Sequence, residues 1–209
     1  MLQLYLALIT CWDAMPGLKI VGVEPIEAMR REFKQALPEV HIVEGTGEAI
    51  PLPHESALAV IAAQSFHWMS TPDVLKEIHR VLLPGGLLAL IWNTRDVSVP
   101  WVRALDDIID PFYGPSVPRQ QSGRWRDAFV GMEGGGVGTR EKRSSTSSLF
   151  GPLTERHFRH SQQPESEQLE AIRKAKELVE THEGTQEDVI QGRGIDLPYD
   201  TEVYWCRKM

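Results

Sequence analysis

Between Lys19 and Arg95 short apolar runs alternate with stretches of helical spacing. Lys19-Ile-Val-Gly-Val23 reads as a strand that ends at Glu24-Pro25, and Ile26 to Leu37 then has helical spacing, with Ala28, Met29, Phe33 and Leu37 to one side. Val40-His-Ile-Val43 is a second strand and Ala57-Leu-Ala-Val-Ile-Ala-Ala63 a third, apolar throughout. Asp73 to Leu83 is amphipathic, with Val74, Ile78, Val81 and Leu82 as its stripe. Pro84-Gly85-Gly86 predicts a sharp turn into a fourth strand, Leu87 to Trp92. Strands that alternate with helices and are apolar on both faces predict a mostly parallel sheet covered on both sides. The expected fold is therefore α/β, doubly wound and Rossmann-like. In such sheets ligands sit at the carboxyl ends of the strands.

The flanks are less regular. Residues 2–14 are expected to form a helix with Leu2, Leu6 and Ile9 to one side, ended by Pro16-Gly17. This is unusual, because a nucleotide-binding α/β domain begins with a strand and a Gly-rich turn. Trp101 to Phe112 reads as a helix, and Arg124 to Phe129 as a short one. Gly131 to Gly138 reads as a flexible loop that Ser144 to Ser148 extends, with Arg140 to Arg143 as a solvated cluster within it. Phe150 to Phe158 is expected to be a strand. Glu165 to Glu183 is expected to be a helix with Leu169, Ile172, Ala175, Leu178 and Val179 inward, and Leu197 to Cys206 a final strand. One domain of 209 residues is expected. Its parts are residues 1–18 (N-terminal helix), 19–112 (binding core), 113–165 (irregular, substrate side) and 166–209 (C-terminal helix and strand).

Composition narrows the function. A net charge of −7 argues against nucleic-acid binding, since no basic surplus neutralises phosphates. The apolar N-terminal run is shorter than the roughly 20 residues a spanning helix needs, and no basic region precedes it, so no membrane partner is expected. Two cysteines, Cys11 and Cys206, make no disulfide framework and no metal-ligand spacing, which points to a reducing, cytoplasmic setting without a metal. Nothing in the composition sets the oligomeric state.

The candidate chemistry lies in the loops after the strands. Glu24 can accept two hydrogen bonds from the cis hydroxyls of a ribose, or be a plain exposed carboxylate at a strand end. Glu44-Gly45-Thr46-Gly47-Glu48 has glycines that let backbone approach a flat ligand, though a simple turn needs the same residues. Gln64-Ser65-Phe66-His67-Trp68 offers either pocket walls or core plugs. His67, with an ordinary pKa near neutrality, is a candidate general base or a structural imidazole.

Taken in order, Gly22-Val-Glu-Pro25, Glu44 to Leu52, Ala63 to Trp68, Glu77 to Gly86, Leu90-Ile-Trp-Asn93 and Leu197 to Trp205 resemble class I S-adenosylmethionine-dependent methyltransferases. The closer likeness is to the small-molecule type 11 group, including trans-aconitate methyltransferase-like proteins. The resemblance covers about three quarters of the chain. It implies that Glu24 holds the cofactor's ribose, that Thr46 and Gly47 flank its adenine, and that Gln64, Ser65 and Phe66 line the cofactor and substrate mouth. His67 and Trp68 belong to the same motif, with His67 the candidate catalytic base on its own chemistry, and the last strand would run antiparallel. It departs at its start: the family's first strand and Gly-rich loop, which carries the methionine part of the cofactor, have no counterpart between Met1 and Gly17. A second gap falls between Gln163 and Glu165, where the family usually has a helix over the substrate site. A shortened chain is implied.

The expected function is methyl transfer from S-adenosylmethionine to a small-molecule acceptor. The alternatives are a non-catalytic binding remnant of the same fold and, more weakly, a nicotinamide-dependent oxidoreductase, which Glu24 permits but the Phe-His-Trp and Pro-Gly-Gly stretches do not suit.

Overall fold

The computed structural model describes residues 6–8, 19–114, 117–131, 138–147, 163–182 and 197–209. The strands are β1 (Leu6–Leu8), β2 (Val21–Val23), β3 (His41–Val43), β4 (Ala57–Ala63), β5 (Leu82–Arg95), β6 (Gly138–Ser147) and β7 (Leu197–Arg207). The helices are α1 (Glu27–Ala36), α2 (Pro72–Val81), α3 (Pro100–Ile109) and α4 (Glu165–Thr181). The sheet order is β3-β2-β1-β4-β5-β7-β6. β2 and β3 are parallel, as are β4 and β5. β1 is antiparallel to both β2 and β4, so β2 to β5 all run one way. β7 runs against β5: Gly85 N–H meets the Lys208 carbonyl, and Asp96 N–H meets the Pro198 carbonyl. This is the expected Rossmann-like α/β sheet with an antiparallel last strand.

The N-terminal expectation needs correction. Leu6–Leu8 is a strand, not part of a helix, and the rest of residues 2–14 lies outside the described residues. A short apolar run carries no period that tells helix from strand. The sheet decides: without β1, the facing edges of β2 and β4 would bury unpaired N–H and C=O groups. Leu6, Ala7 and Leu8 pair with Val23, Gly22 and Val21, and Ala7 with Ile61. The central slot is thus filled by a strand of reversed direction.

The chain divides into two compact units, one of residues 1–92, 118–141 and 202–209, the other of residues 93–117 and 142–201. The first contains the two parallel crossovers. α2 starts where Thr71 accepts the Val74 N–H and Pro72 pre-sets the first turn. It buries Val74, Leu75, Ile78 and Val81, close to the predicted stripe, each contributing about 1.5–3 kcal/mol of burial. Arg80 donates to the Leu52 and Ile50 carbonyls, while Glu77 accepts the Ile50 N–H, so one ion pair on α2 pins the loop after β3. Pro84–Gly86 does not form the expected sharp turn outside the strand. β5 already begins at Leu82 and bulges: Ala57 pairs Leu82, but Ala59 pairs Leu87. Gly85 takes a φ of 75°, where a side chain would be strained.

In the second unit α3 buries Trp101, Val102, Leu105 and Ile109, and α4 buries Ala171, Ala175 and Val179. Arg95 is ion-paired with Asp106. Leu169, expected inward, is 54% exposed. The buried row is 171-175-179, one helical turn per step, and its small alanines let the backbones approach. Gly138–Ser147 is a strand where loop was expected on both its flanks. It lies last in the sheet order, and a polar strand is tolerated at an edge. The strand expected at residues 150–158 lies outside the described residues. Among the described residues no helix is long and apolar enough to cross a membrane.

Candidate functional site

The carboxyl ends of β2, β3 and β4 belong to the first unit and carry the predicted residues. Glu24 follows β2 directly. It is 1% exposed, not the solvated carboxylate that its place at a strand end allowed. One carboxylate oxygen accepts the Ile26 N–H at 2.9 Å, just ahead of α1. The Glu24 N–H bonds the Val43 carbonyl at 3.1 Å, joining the ends of β2 and β3. Arg30 donates to the Glu24 and Pro25 carbonyls and reaches the Glu44 carboxylate at 2.9 Å. The carboxylate is therefore held by backbone geometry before any ligand arrives.

Thr46 exchanges backbone hydrogen bonds with Ala49, both 3.3 Å, closing a tight turn after β3. Gly47 is buried, and a methyl group there would lie 2.7 Å from Met69 Sδ and 3.1 Å from Val74. One at Gly45 would lie 2.6 Å from Pro51 and 2.8 Å from Val23. Both glycines are thus required by close approach of the protein's own parts, a packing reason that the bare Gly-Thr-Gly pattern did not separate from ligand approach.

The end of β4 differs. Gln64 has a φ of 56°, a left-handed conformation that is uncommon for a non-glycine residue, while its N–H still bonds the Ile91 carbonyl. Ser65 follows, 2% exposed, and its hydroxyl has no hydrogen-bond partner among the described residues. Phe66 is fully buried, its ring centroid 6.4 Å from Trp125 and 5.7 Å from Phe129. Its ring is a core plug. His67 Nδ1 accepts a hydrogen bond from Trp92 Nε1 at 3.0 Å. Burial holds the His67 pKa down at about 4. The Nδ1 lone pair of this candidate base is thus occupied by the Trp92 N–H, and burial lowers the basicity of the ring.

An aromatic cluster stands over these strand ends, and sequence reasoning did not assemble it. Trp92 packs on Trp125 at 4.8 Å, and Trp125 on Tyr204 at 4.9 Å. The Arg126 guanidinium lies 4.3 Å from the Trp125 ring and donates to the Tyr204 hydroxyl at 2.9 Å. The Tyr204 hydroxyl donates to Glu202, which also accepts from Gln120. Trp125 Nε1 and Gln120 Oε1 are buried without hydrogen-bond partners among the described residues. The available signal was the alternation along the last strand, which sets Val203 and Trp205 against Glu202 and Tyr204 without saying which pair is buried. Tyr204 is the residue that is 5% exposed.

In the second unit a cavity of about 470 Å³ is lined by Asp107, Ile108, Phe112, Glu167, Glu170 and Lys174, among others. Its Glu170 is tied to Arg173 on the same helix, and none of the predicted site residues lines it.

Comparison with known proteins agrees with this geometry. Residues 6–90 match the family described as methyltransferase domain. Over 93 residues the chain is 46% identical to an uncharacterized methyltransferase of Mycobacterium tuberculosis, a match covering 44% of this chain and 38% of that protein. Over 113 residues it is 38% identical to an uncharacterized methyltransferase-like protein of Schizosaccharomyces pombe, covering 54% and 44%. The chain thus spans less than half the length of these relatives. Its fold is similar to that of a putative type II methyltransferase from Anaeromyxobacter dehalogenans, with a TM-score of 0.56 and 18% identity over 90% of this chain and 80% of the other.

Proposed function

We propose that this chain, whose residues 6–90 match the methyltransferase domain family, binds S-adenosylmethionine at the carboxyl ends of β2 to β4 and serves methyl transfer to a small-molecule acceptor. The observation that carries the reading is Glu24: a buried carboxylate fixed at the end of β2 by the Ile26 N–H. A carboxylate has room for several donors, and hydrogen bonds from a ribose diol to it are charge-assisted, worth about 1.5–3 kcal/mol each. Ser65 adds a buried hydroxyl with unused capacity, and Thr46 and Gly47 a tight turn beside β3. This donor and acceptor set fits the adenosine half of the cofactor. When bound, the cofactor supplies an electrophilic methyl carbon on a sulfonium. The residues of the chain hold and orient the two partners and keep water away, which is most of what an in-line displacement requires.

A non-catalytic binding module of the same fold is the second reading, and the direction of β1 favours it. Because β1 runs against β2 and β4, its C-terminal end lies at the opposite edge of the sheet from Glu24 and Ser65. Leu8, where β1 ends, therefore pairs with Val21 at the start of β2, away from Glu24. Saturation-transfer NMR separates the readings. Transfer from the protein to S-adenosylhomocysteine, displaced by S-adenosylmethionine, is the expected result, and its absence at millimolar ligand overturns both. Binding without release of S-adenosylhomocysteine from S-adenosylmethionine, across a panel of small carboxylates, phenols and amines, selects the second.

A further inference from the structure

Trp92 and His67 fix a proton position. Indole Nε1 is only ever a donor. It lies 3.0 Å from His67 Nδ1, so Nδ1 is the acceptor and the single proton of the neutral imidazole resides on Nε2. Trp92 can neither reverse that polarity nor turn away easily. It is fully buried, its ring tilted against Trp125 at 4.8 Å and edge-on to Tyr204 at 5.9 Å. His67 itself sits in the short 3-10 helix Phe66–Trp68, half-buried, with its ring 5.4 Å from Trp68. Its Nε2 makes no hydrogen bond among the described residues. Two positions upstream the Ser65 hydroxyl is 2% exposed and also unpartnered, immediately after the left-handed Gln64. One strand end thus carries two hydrogen-bonding groups that the fold orders and does not use. Leaving the buried Ser65 hydroxyl unpaired costs free energy that a bound polar group would recover, and His67 Nε2 stands open beside it.

We propose that His67 presents Nε2–H as a hydrogen-bond donor to a carbonyl or carboxylate oxygen of the bound acceptor, and that Trp92 is the positioning residue that holds it in that tautomer. The proton stays on His67 throughout, the reverse of a general-base role. The depressed basicity of His67 agrees with this, because the ring remains neutral at pH 7. The proposal rests on the reading that this edge of the sheet receives a methyl acceptor. Its test needs no cofactor, so its failure leaves S-adenosylhomocysteine binding to be judged separately.

The 209-residue chain labelled with 15N-histidine decides the tautomer by long-range 1H–15N correlation at pH 7. The His67 signals are those lost in His67→Gln. A pattern with the proton on Nε2 is expected. A proton on Nδ1, or an imidazolium, overturns the proposal. In Trp92→Phe, which keeps a ring but removes the N–H, the two nitrogen resonances should move toward each other as both tautomers populate. Unchanged resonances contradict the positioning role. The parent spectrum stands even if that variant does not fold. Benzoate, benzamide and benzylamine then probe the ligand class. The first two should shift the His67 Nε2 resonance and benzylamine should not, and His67→Gln, whose amide N–H reaches the same place, should keep binding benzoate while His67→Phe loses it. Equal shifts from all three probes, or none from benzoate and benzamide, overturn the donor assignment.

Discussion

The corners after β2 and β4 lie on the same edge of one sheet and treat their polar groups in opposite ways. At the β2 corner Glu24 is buried and engaged: it accepts the Ile26 N–H, and Arg30 ties its carbonyl to α1 and Glu44. At the β4 corner Ser65 is equally buried and its hydroxyl has no partner among the described residues, Gln64 is held in a left-handed conformation, and His67 is oriented by Trp92, with Nε2 unpaired among the described residues. The first corner anchors its buried carboxylate on the backbone; the second orders groups that it leaves unpaired among the described residues. Buried polar groups in folded proteins are nearly always paired, so an ordered corner that leaves them unpaired marks a place where stability has been given up.

The largest effect should come from removing what covers the second corner. Trp125 is 1% exposed and touches Phe66, Trp92, Phe129 and Tyr204. Trp125→Ala is expected to cost about 3–5 kcal/mol in urea unfolding. A cost below about 1 kcal/mol would mean that the aromatic cluster does not support this corner.

Next in size is a pH effect. The pKa of His67 lies at about 4 in the fold against 6.5 when unperturbed, so the unfolded chain binds more protons between those values. The contribution is fully present above pH 6.5 and is lost as pH falls toward 4, by up to about 3 kcal/mol. His67→Gln should flatten that part of the stability profile. An unchanged slope would mean that His67 titrates normally.

How much of this was legible in the sequence differs by corner as well. The parallel crossovers and the α2 stripe were legible, because helical period and apolar strands are local properties. Glu24 was legible from its place after a strand, but its burial was not, since burial depends on what packs above it. The direction of β1 was hidden because three apolar residues carry no period and only the gap between β2 and β4 assigns them. At the β4 corner the residue types were visible, yet the tautomer of His67 depends on Trp92, 25 positions away, and no spacing rule connects them. The burial of Tyr204 follows from the partners of the last strand, which alternation alone does not fix.

A smaller effect separates packing from ligand contact in the loop after β3. Gly47→Ala would drive a methyl group to within 2.7 Å of Met69 Sδ, and is expected to cost about 1–3 kcal/mol of stability. A variant of parental stability would show that Met69 yields and that the glycine serves a ligand instead. Ser65→Ala sharpens the contrast from the other side: removing an unpartnered buried hydroxyl should stabilise the free chain by about 1 kcal/mol while weakening ligand binding. Lower stability in that variant would mean that the hydroxyl is already satisfied.

The most direct measurement is titration calorimetry of S-adenosylhomocysteine into the parent chain and into Glu24→Gln. The amide can still accept the Ile26 N–H but loses the charge and half the acceptor capacity offered to a diol. Binding to the parent is predicted, with affinity about tenfold lower in the variant, a difference of about 1.4 kcal/mol, and melting temperatures close together. Equal affinity in the two chains would contradict the ribose assignment, and no binding to either would contradict the cofactor site itself.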